Sequence, residues 1–156
     1  MTAEPRRYRK ILWLLAAVYA GILLSLLLCR EPVPRPGNLP QRFFAACNFH
    51  PLRTVRLYAR LLRHPAQALR RLAAVNLAGN ILLFLPLGFF PPALSPGFRR
   101  FWKTLLLAAG LVAAVEILQA LTGVGRCDVD DLLLNVLGAG LGYGIFRLAA
   151  GRKSSL

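Results

Sequence analysis

The sequence predicts an all-α integral membrane protein with four transmembrane helices plus a short interfacial amphipathic helix in the first loop. Of the 156 residues, 56% are hydrophobic and only 17% are charged, which is more apolar surface than one soluble core of this size can bury. The apolar residues fall in long runs separated by short charged segments. Runs of about 20 such residues are what a helix needs to cross a bilayer.

The charge and the cysteine content indicate which partners and which kinds of site to expect. The formal net charge is +14, and the basic residues flank the apolar runs. This placement favours anionic lipid and membrane orientation over nucleic acid, so no nucleic acid is expected as a partner. Cys29, Cys47 and Cys127 have neither the even number of a disulfide framework nor metal-ligand spacing. We therefore expect no metal and no cofactor.

Residues 1–10 form a basic flank, and residues 11–29 form the first predicted transmembrane helix. The flank holds Arg6, Arg7, Arg9 and Lys10, and the run that follows carries no charge. At ~1.5 Å per residue this run spans the hydrocarbon core. It exceeds the apolar part of a signal peptide and no small-residue cleavage site follows it, so we expect an uncleaved helix.

Residues 30–71 form a basic loop, which begins with EPVPRPGNLP. Its four prolines and one glycine disfavour a helix there. Further along, four arginines share one helical face and apolar side chains share the other. The arginines are Arg53, Arg56, Arg60 and Arg63, and the opposite face holds Val55, Tyr58, Leu61 and Leu62. The pattern predicts an amphipathic helix in the membrane interface with its arginines facing lipid. A helix packed on the protein is the alternative.

Three further transmembrane helices are expected in a core at residues 72–150, before a tail at residues 151–156. The second covers residues 72–92, where Pro86 is expected to kink the helix and Pro91 and Pro92 to end it. The third covers residues 101–121 and the fourth residues 131–150. Small residues four apart predict close helix contacts. The pairs are Gly138 and Gly142, Gly140 and Gly144, Ala17 and Gly21, and Gly110 and Ala114.

The segment from Gly125 to Asn135, GRCDVDDLLLN, holds three of the six acidic residues. Successive spans alternate in direction, so the start of the second, the end of the third and the start of the fourth lie on one side of the membrane. These ends carry polar side chains at a similar depth, which predicts one binding pocket. The expected pocket residues are Asn76, Asn80, Glu116, Gln119, Arg126, Asp128, Asp130, Asp131 and Asn135.

Three functions fit such a pocket. The preferred one is non-enzymatic binding of an anionic amphiphile whose phosphate the loop arginines hold. The second is an enzyme acting on a lipid head group, with Glu116 or Asp128 as general base. The third is a proton-coupled transporter with Glu116 as carrier. A purely structural hydrogen-bond network, with Asp128 and Asp130 as helix caps, is the alternative to all three. The acidic cluster lacks the spacing and central glycine of a calcium loop.

Four segments carry a family pattern in order and spacing: NFHPLRT at 48–54, NLAGNILLFLPLGFFPP at 76–92, EILQ at 116–119 and GRCDVDDLLLNVLGAGLGY at 125–143. They resemble the motifs of the VanZ-like family. The resemblance implies a small bacterial inner-membrane protein, in a family named for a member tied to low-level resistance to the glycopeptide teicoplanin. It implies no catalytic residue. In the first motif, His50 and Leu52 stand where an apolar residue and Phe are more usual.

Basic residues are equal in number on the two sides of the membrane, so the flank beside the first helix decides the expected orientation. We expect a multi-pass protein of the bacterial inner membrane with its N-terminus in the cytoplasm. The pocket then faces the exterior, where a membrane lipid or a lipid-linked envelope molecule is the expected partner. A homo-oligomer is left open.

Overall fold

The computed structural model describes residues 6–29, 31–33 and 35–152. Residues 1–5 of the predicted flank and residues 153–156 of the predicted tail lie outside this range. The described elements are α1 (Arg6–Leu28), α2 (Leu39–Ala46), β1 (Cys47–Asn48), α3 (Arg53–Leu61), α4 (Gln67–Leu94), α5 (Phe101–Thr122), β2 (Cys127–Asp128) and α6 (Val129–Arg152). A 3-10 turn at Pro96–Phe98 joins α4 to α5.

Four of these helices are long and apolar enough to cross a membrane, which confirms the predicted all-α architecture with four spans. The spans are Arg7–Leu28, Gln67–Leu94, Phe101–Thr122 and Val129–Gly151. The second span differs from the prediction at both ends. It begins at Gln67, and it continues through Pro91 and Pro92 to Leu94, so these prolines do not end it. The amide of Ser95 donates to the carbonyl of Pro91 at 2.9 Å and closes the last turn without a donor from either proline.

Glycines bring the backbones of α4 and α6 into close contact. A Cβ placed on Gly88 would lie 1.7 Å from the carbonyl oxygen of Ala139. A Cβ on Gly142 would lie 1.9 Å from the carbonyl oxygen of Leu85, and Gly138 is similarly close to the backbone of α4. Because real Cβ atoms do not approach this closely, only glycine allows this packing. The predicted contact at Gly138 and Gly142 is therefore present.

The glycines of the other small-residue pairs make no close contact with another described helix. A Cβ on Gly21, Gly110, Gly140 or Gly144 would meet no described atom within 4 Å, apart from its chain neighbours and its own helix backbone. The prediction that all four pairs mark close helix contacts is wrong at these positions. The spacing places small residues on one face, but only the helix arrangement decides which faces touch.

The first helix packs against α4 near its proline. The hydroxyl of Tyr19 donates to the carbonyl of Leu83 at 2.9 Å, and the ring of Tyr19 lies 5.9 Å from that of Phe90. Pro86 has no N–H to donate to the carbonyl of Leu82, which is the residue before Leu83 in the same turn. A side chain of another helix thus bonds the α4 backbone at this turn, while the predicted kink stays a prediction.

The first loop contains more structure than the sequence predicted. α2 starts from a capping box between Asn38 and Gln41, with Pro40 in its first turn. β1 pairs in parallel with β2, so Cys47 is opposite Cys127 and Asn48 is opposite Asp128. The predicted amphipathic helix is α3, which contacts α4 and α6. The loop is therefore attached to the ends of the spans by pairing and by helix packing.

Candidate functional site

A cavity of about 470 Å³ opens where α4, α5 and α6 meet the first loop. This volume lies in the range of small-molecule sites, and several polar groups converge on it. Seven of the nine predicted pocket residues line the cavity: Asn76, Asn80, Glu116, Gln119, Arg126, Asp131 and Asn135. The depression of about 710 Å³ along the start of α4 is shallow and more apolar. The convergent cavity is the candidate site.

Two carboxylates face the cavity, and each connects two elements. The Glu116 side chain is buried, and its Oε2 accepts a hydrogen bond from the backbone amide of Asp128 at 2.7 Å. Oδ1 of Asp131 accepts from Nδ2 of Asn80 at 2.7 Å. The first bond joins α5 to β2 and the second joins α4 to α6. Both carboxylates are thereby held in place at the cavity wall.

The side-chain amides of the cavity differ in how far their bonds are satisfied. Nδ2 of Asn76 donates to the carbonyl of Leu72 in its own helix at 2.8 Å. Nε2 of Gln119 donates to the carbonyl of Leu27 at 2.6 Å, which ties α5 to the end of α1. Oδ1 of Asn135 is buried and has no hydrogen-bond partner among the described residues. Buried polar atoms are normally paired, so this oxygen is free to accept a hydrogen bond from a molecule in the cavity.

Arginine side chains stand on the loop side of the cavity. Arg35 lines it from the first loop, and its Nη2 donates to the carbonyl of Gly125 at 2.9 Å. Arg126, in the segment between α5 and α6, lines it as an exposed residue. Arg126 was predicted, but Arg35 was not. Arg35 lies in a proline-rich stretch without periodicity, so nothing in its surroundings indicated where its side chain would go.

Tyr58 also lines the cavity, from the inner face of α3. Burial raises the pKa of its hydroxyl above the ordinary 10.0, and the negative charges of Asp131 and Asp128 raise it further. The hydroxyl is therefore a neutral donor and acceptor at the cavity wall. Its apolar-face position was predicted, but its place in the site was not.

Asp128 does not line the cavity and instead holds the first loop, which corrects its predicted place in the pocket. Its Oδ1 accepts from Nδ2 of Asn48 at 3.0 Å and from the backbone amide of Asp130 at 3.0 Å. Its Oδ2 accepts from the hydroxyl of Thr54 at 2.6 Å. Asn48 and Thr54 lie in the NFHPLRT segment, so this carboxylate connects two of the family-like motifs.

Asp130 is likewise absent from the cavity lining, and its fully buried carboxylate caps α3 from another part of the chain. Its oxygens accept from the backbone amides of Leu52, Thr54 and Val55. Leu52 has a φ of 63°, in the left-handed region that side chains other than glycine rarely adopt. A cap was one of the predicted alternatives for Asp130, but the helix that it caps lies about 75 residues earlier in the sequence.

Three of the four arginines predicted to face lipid lie on α3, and Arg63 follows two residues after its end. Arg53, Arg56, Arg60 and Arg63 are exposed, and none of them lines the cavity. The opposite face of α3 packs on the protein, as the alternative interpretation predicted. Contact of these arginines with lipid stays a prediction.

The thiols of Cys47 and Cys127 lie next to each other where β1 pairs with β2. Burial raises the pKa of the Cys127 thiol to about 12, and its hydrogen bond with Cys47 and the nearby negative charges act in the same direction. The described residues contain no group of three or more His, Cys, Asp or Glu side chains placed to hold a metal ion. The site can thus offer two guanidinium groups, two carboxylates and an unpaired amide oxygen to a polar ligand.

The comparison with known proteins identifies one family. The family model described as VanZ/LLP1 matches residues 16–150, which include the second and third spans, all but the last residue of the fourth, the first span from residue 16 onward, and every residue of the cavity. No curated protein and no solved structure matches the chain.

Proposed function

Because the chain belongs to the VanZ/LLP1 family and has four candidate membrane spans, we propose that it is a non-enzymatic membrane module that binds a phosphate-bearing amphiphile of the bacterial cell envelope. The observation that carries this proposal is the cavity of about 470 Å³ at the ends of the spans, lined by two arginines and by several polar side chains. A membrane lipid or a lipid-linked envelope molecule can present a phosphate to such a site from the bilayer.

The guanidinium groups of Arg35 and Arg126 are the anion-binding part of the site. Guanidinium matches phosphate geometry and forms charge-assisted hydrogen bonds, which are about twice as strong as neutral ones. Arg35 is preorganised by its bond to Gly125, while Arg126 has no hydrogen bond to another described residue in the structure. The proposal therefore assigns the phosphate to the mouth of the cavity, between these two side chains.

The test compares lipid retention in two double variants that lose the same charge. The first carries Arg35→Gln and Arg126→Gln in the cavity, and the second carries Arg60→Gln and Arg63→Gln, which are exposed at the C-terminal end of α3. Each protein is purified from vesicles that contain phosphatidylglycerol and diacylglycerol, and the retained lipids are quantified by mass spectrometry. Loss of a charged hydrogen bond is worth about 1.5–3 kcal/mol, so phospholipid retention should fall at least about tenfold in the first variant only. Equal retention in both variants would contradict the proposal.

Glu116 is the residue on which an enzymatic or proton-coupled role would depend. Its Oε2 already accepts the amide of Asp128, so the carboxylate positions β2 beside the cavity. This favours binding over catalysis. We expect Glu116→Gln to retain phospholipid, because a side-chain amide oxygen can still accept from Asp128. Lost turnover with unchanged lipid retention would instead favour the enzyme.

The proposal also covers where the protein is located and what its physiological role is. We place the protein in the bacterial inner membrane with its N-terminus in the cytoplasm, so that the cavity faces the exterior. An alkaline-phosphatase fusion after Arg63 should then be active, and an inactive fusion would indicate the opposite orientation.

A link to teicoplanin is supported by family membership alone. It predicts a higher inhibitory concentration of teicoplanin when a susceptible strain expresses the chain, and no change with the Arg35→Gln and Arg126→Gln variant.

A further inference from the structure

We infer that the head group bound in this cavity joins its phosphate to a primary ammonium, as a phosphoethanolamine head group does. The inference rests on the proposed function, since it names the class of head group that the same cavity takes. It depends on the charge balance of the cavity wall and on the unpaired oxygen of Asn135.

The charges on the cavity wall favour a zwitterion. Arg35 and Arg126 contribute two positive groups, and Asp131 contributes a carboxylate. A head group with only negative charge would place part of that charge beside this carboxylate, where limited water strengthens repulsion. A head group with one group of each sign can place its phosphate at the arginines and its cation at Asp131.

The oxygen of Asn135 requires a hydrogen-bond donor. Asn135 is only 5% exposed, it lines the cavity, and its Oδ1 has no partner among the described residues. An ionised phosphate has no donor to offer this oxygen, whereas a primary ammonium has three N–H groups. A ligand that carries an N–H donor in addition to its anionic group would satisfy this oxygen directly.

The carboxylate of Asp131 lies beside this oxygen along α6. Asp131 and Asn135 are one turn apart and both line the cavity, so their side chains are neighbours on one helix face. Oδ1 of Asp131 accepts from Asn80, and the structure assigns no donor among the described residues to its Oδ2. One ammonium could therefore donate to Asp131 and Asn135 together.

The order of these groups along the cavity fits the order within the head group. Arg35 and Arg126 belong to loop segments at the mouth, and Asp131 lies in the first turn of α6. Asn135 lies ~6 Å further into the span. A phosphate at the mouth and an ammonium two methylenes away match this sequence of positive and negative wall groups.

Three phospholipids distinguish the requirement for a positive charge from the requirement for an N–H donor. Phosphatidylethanolamine carries both the positive charge and N–H donors. Phosphatidylcholine carries the same charges without an N–H donor, and phosphatidylglycerol carries hydroxyl donors without a positive charge. The full-length chain is incorporated into vesicles that hold the three lipids in equal amounts with matched acyl chains, then purified in mild detergent. The retained lipids are quantified by mass spectrometry.

We expect phosphatidylethanolamine to be enriched about tenfold over each of the other two, the factor that one charge-assisted hydrogen bond provides. In Asn135→Leu, which removes the acceptor at similar volume, this enrichment should fall toward unity while total phospholipid stays bound. Asn135→Asp should keep the preference because it keeps an acceptor. Asp131→Asn should weaken the preference over phosphatidylglycerol, and it provides a second variant if Asn135→Leu does not fold.

Failure of the inference and failure of the proposed function give different results. If no phospholipid is retained above the level of the Arg35→Gln and Arg126→Gln variant, the proposed function fails. If phospholipid is retained with phosphatidylcholine or phosphatidylglycerol equal to phosphatidylethanolamine, only the head-group inference is overturned. Binding of free O-phosphoethanolamine by a protein that retains no phosphatidylethanolamine would assign the site to a soluble compound, and would also overturn the inference.

Discussion

Substitution of Asp130 by Asn tests how the first loop is held over the cavity. The buried carboxylate accepts three backbone amides at the start of α3, with Leu52 on Oδ1 and with Thr54 and Val55 on Oδ2. Asparagine has the same shape but a single acceptor oxygen. If that oxygen takes the place of Oδ2, the new NH₂ group faces the amide of Leu52, and this donor is left unpaired.

The change in the free energy of loop opening in Asp130→Asn can be worked out from these bonds. A buried donor without a partner costs about 1–3 kcal/mol, and each of the two remaining bonds loses about 1 kcal/mol with the charge. The loop should therefore open more easily by at least about 3 kcal/mol, more than an ordinary helix cap contributes. The backbone strain of Leu52, which lies at a positive φ, acts in the same direction because the cap no longer opposes it.

Hydrogen exchange measures this opening directly. In protein reconstituted into lipid nanodiscs, the amides of residues 52–55 should exchange roughly 100-fold faster in Asp130→Asn than in the unaltered chain. Glu31→Gln is the matched control, because Glu31 is an exposed carboxylate in the same loop. Exchange at residues 52–55 that stays within about threefold of the unaltered chain would refute the assignment of Asp130 as the cap that holds α3.

Two further predictions concern helix packing and thiol reactivity. Gly142→Ala places a Cβ against the carbonyl of Leu85 and should destabilise the protein by about 1–3 kcal/mol. Gly140→Ala is the control, and it should leave the stability unchanged because its Cβ would meet no described atom of another helix. Thermal melting in detergent measures the stability of the two variants, and equal melting temperatures for Gly142→Ala and Gly140→Ala would contradict the close packing of α4 and α6. Because the pKa of Cys127 is raised from 9.0 to about 12, less of it is thiolate at pH 8, and alkylation by iodoacetamide should be about 50-fold slower than for a thiol with the ordinary pKa. Exposed Cys29 is the internal control, and labelling of both cysteines at one rate would exclude the raised pKa.

Part of the candidate site could be predicted because membrane spans alternate in direction. Once four spans are recognised, the polar ends of the second, third and fourth must lie on one side, and seven predicted side chains do line one cavity. The same reasoning could not separate Asp131 from Asp128 and Asp130. These three residues are close in sequence, but whether a carboxylate faces the cavity or the first loop depends on where Asn48 and Thr54 lie.

Hydropathy alone determined that this chain has four spans, because about 20 apolar residues in a run have no stable place other than a bilayer or a large core. It also determined which ends of those spans share a side. Only the tertiary structure decided that Arg35 reaches the cavity, that Asp130 caps α3, and that Gly142 rather than Gly140 contacts α4. These contacts join residues far apart in the sequence or depend on the rotation of one helix against another. Local periodicity specifies the face on which a side chain lies, but it does not specify what that face meets.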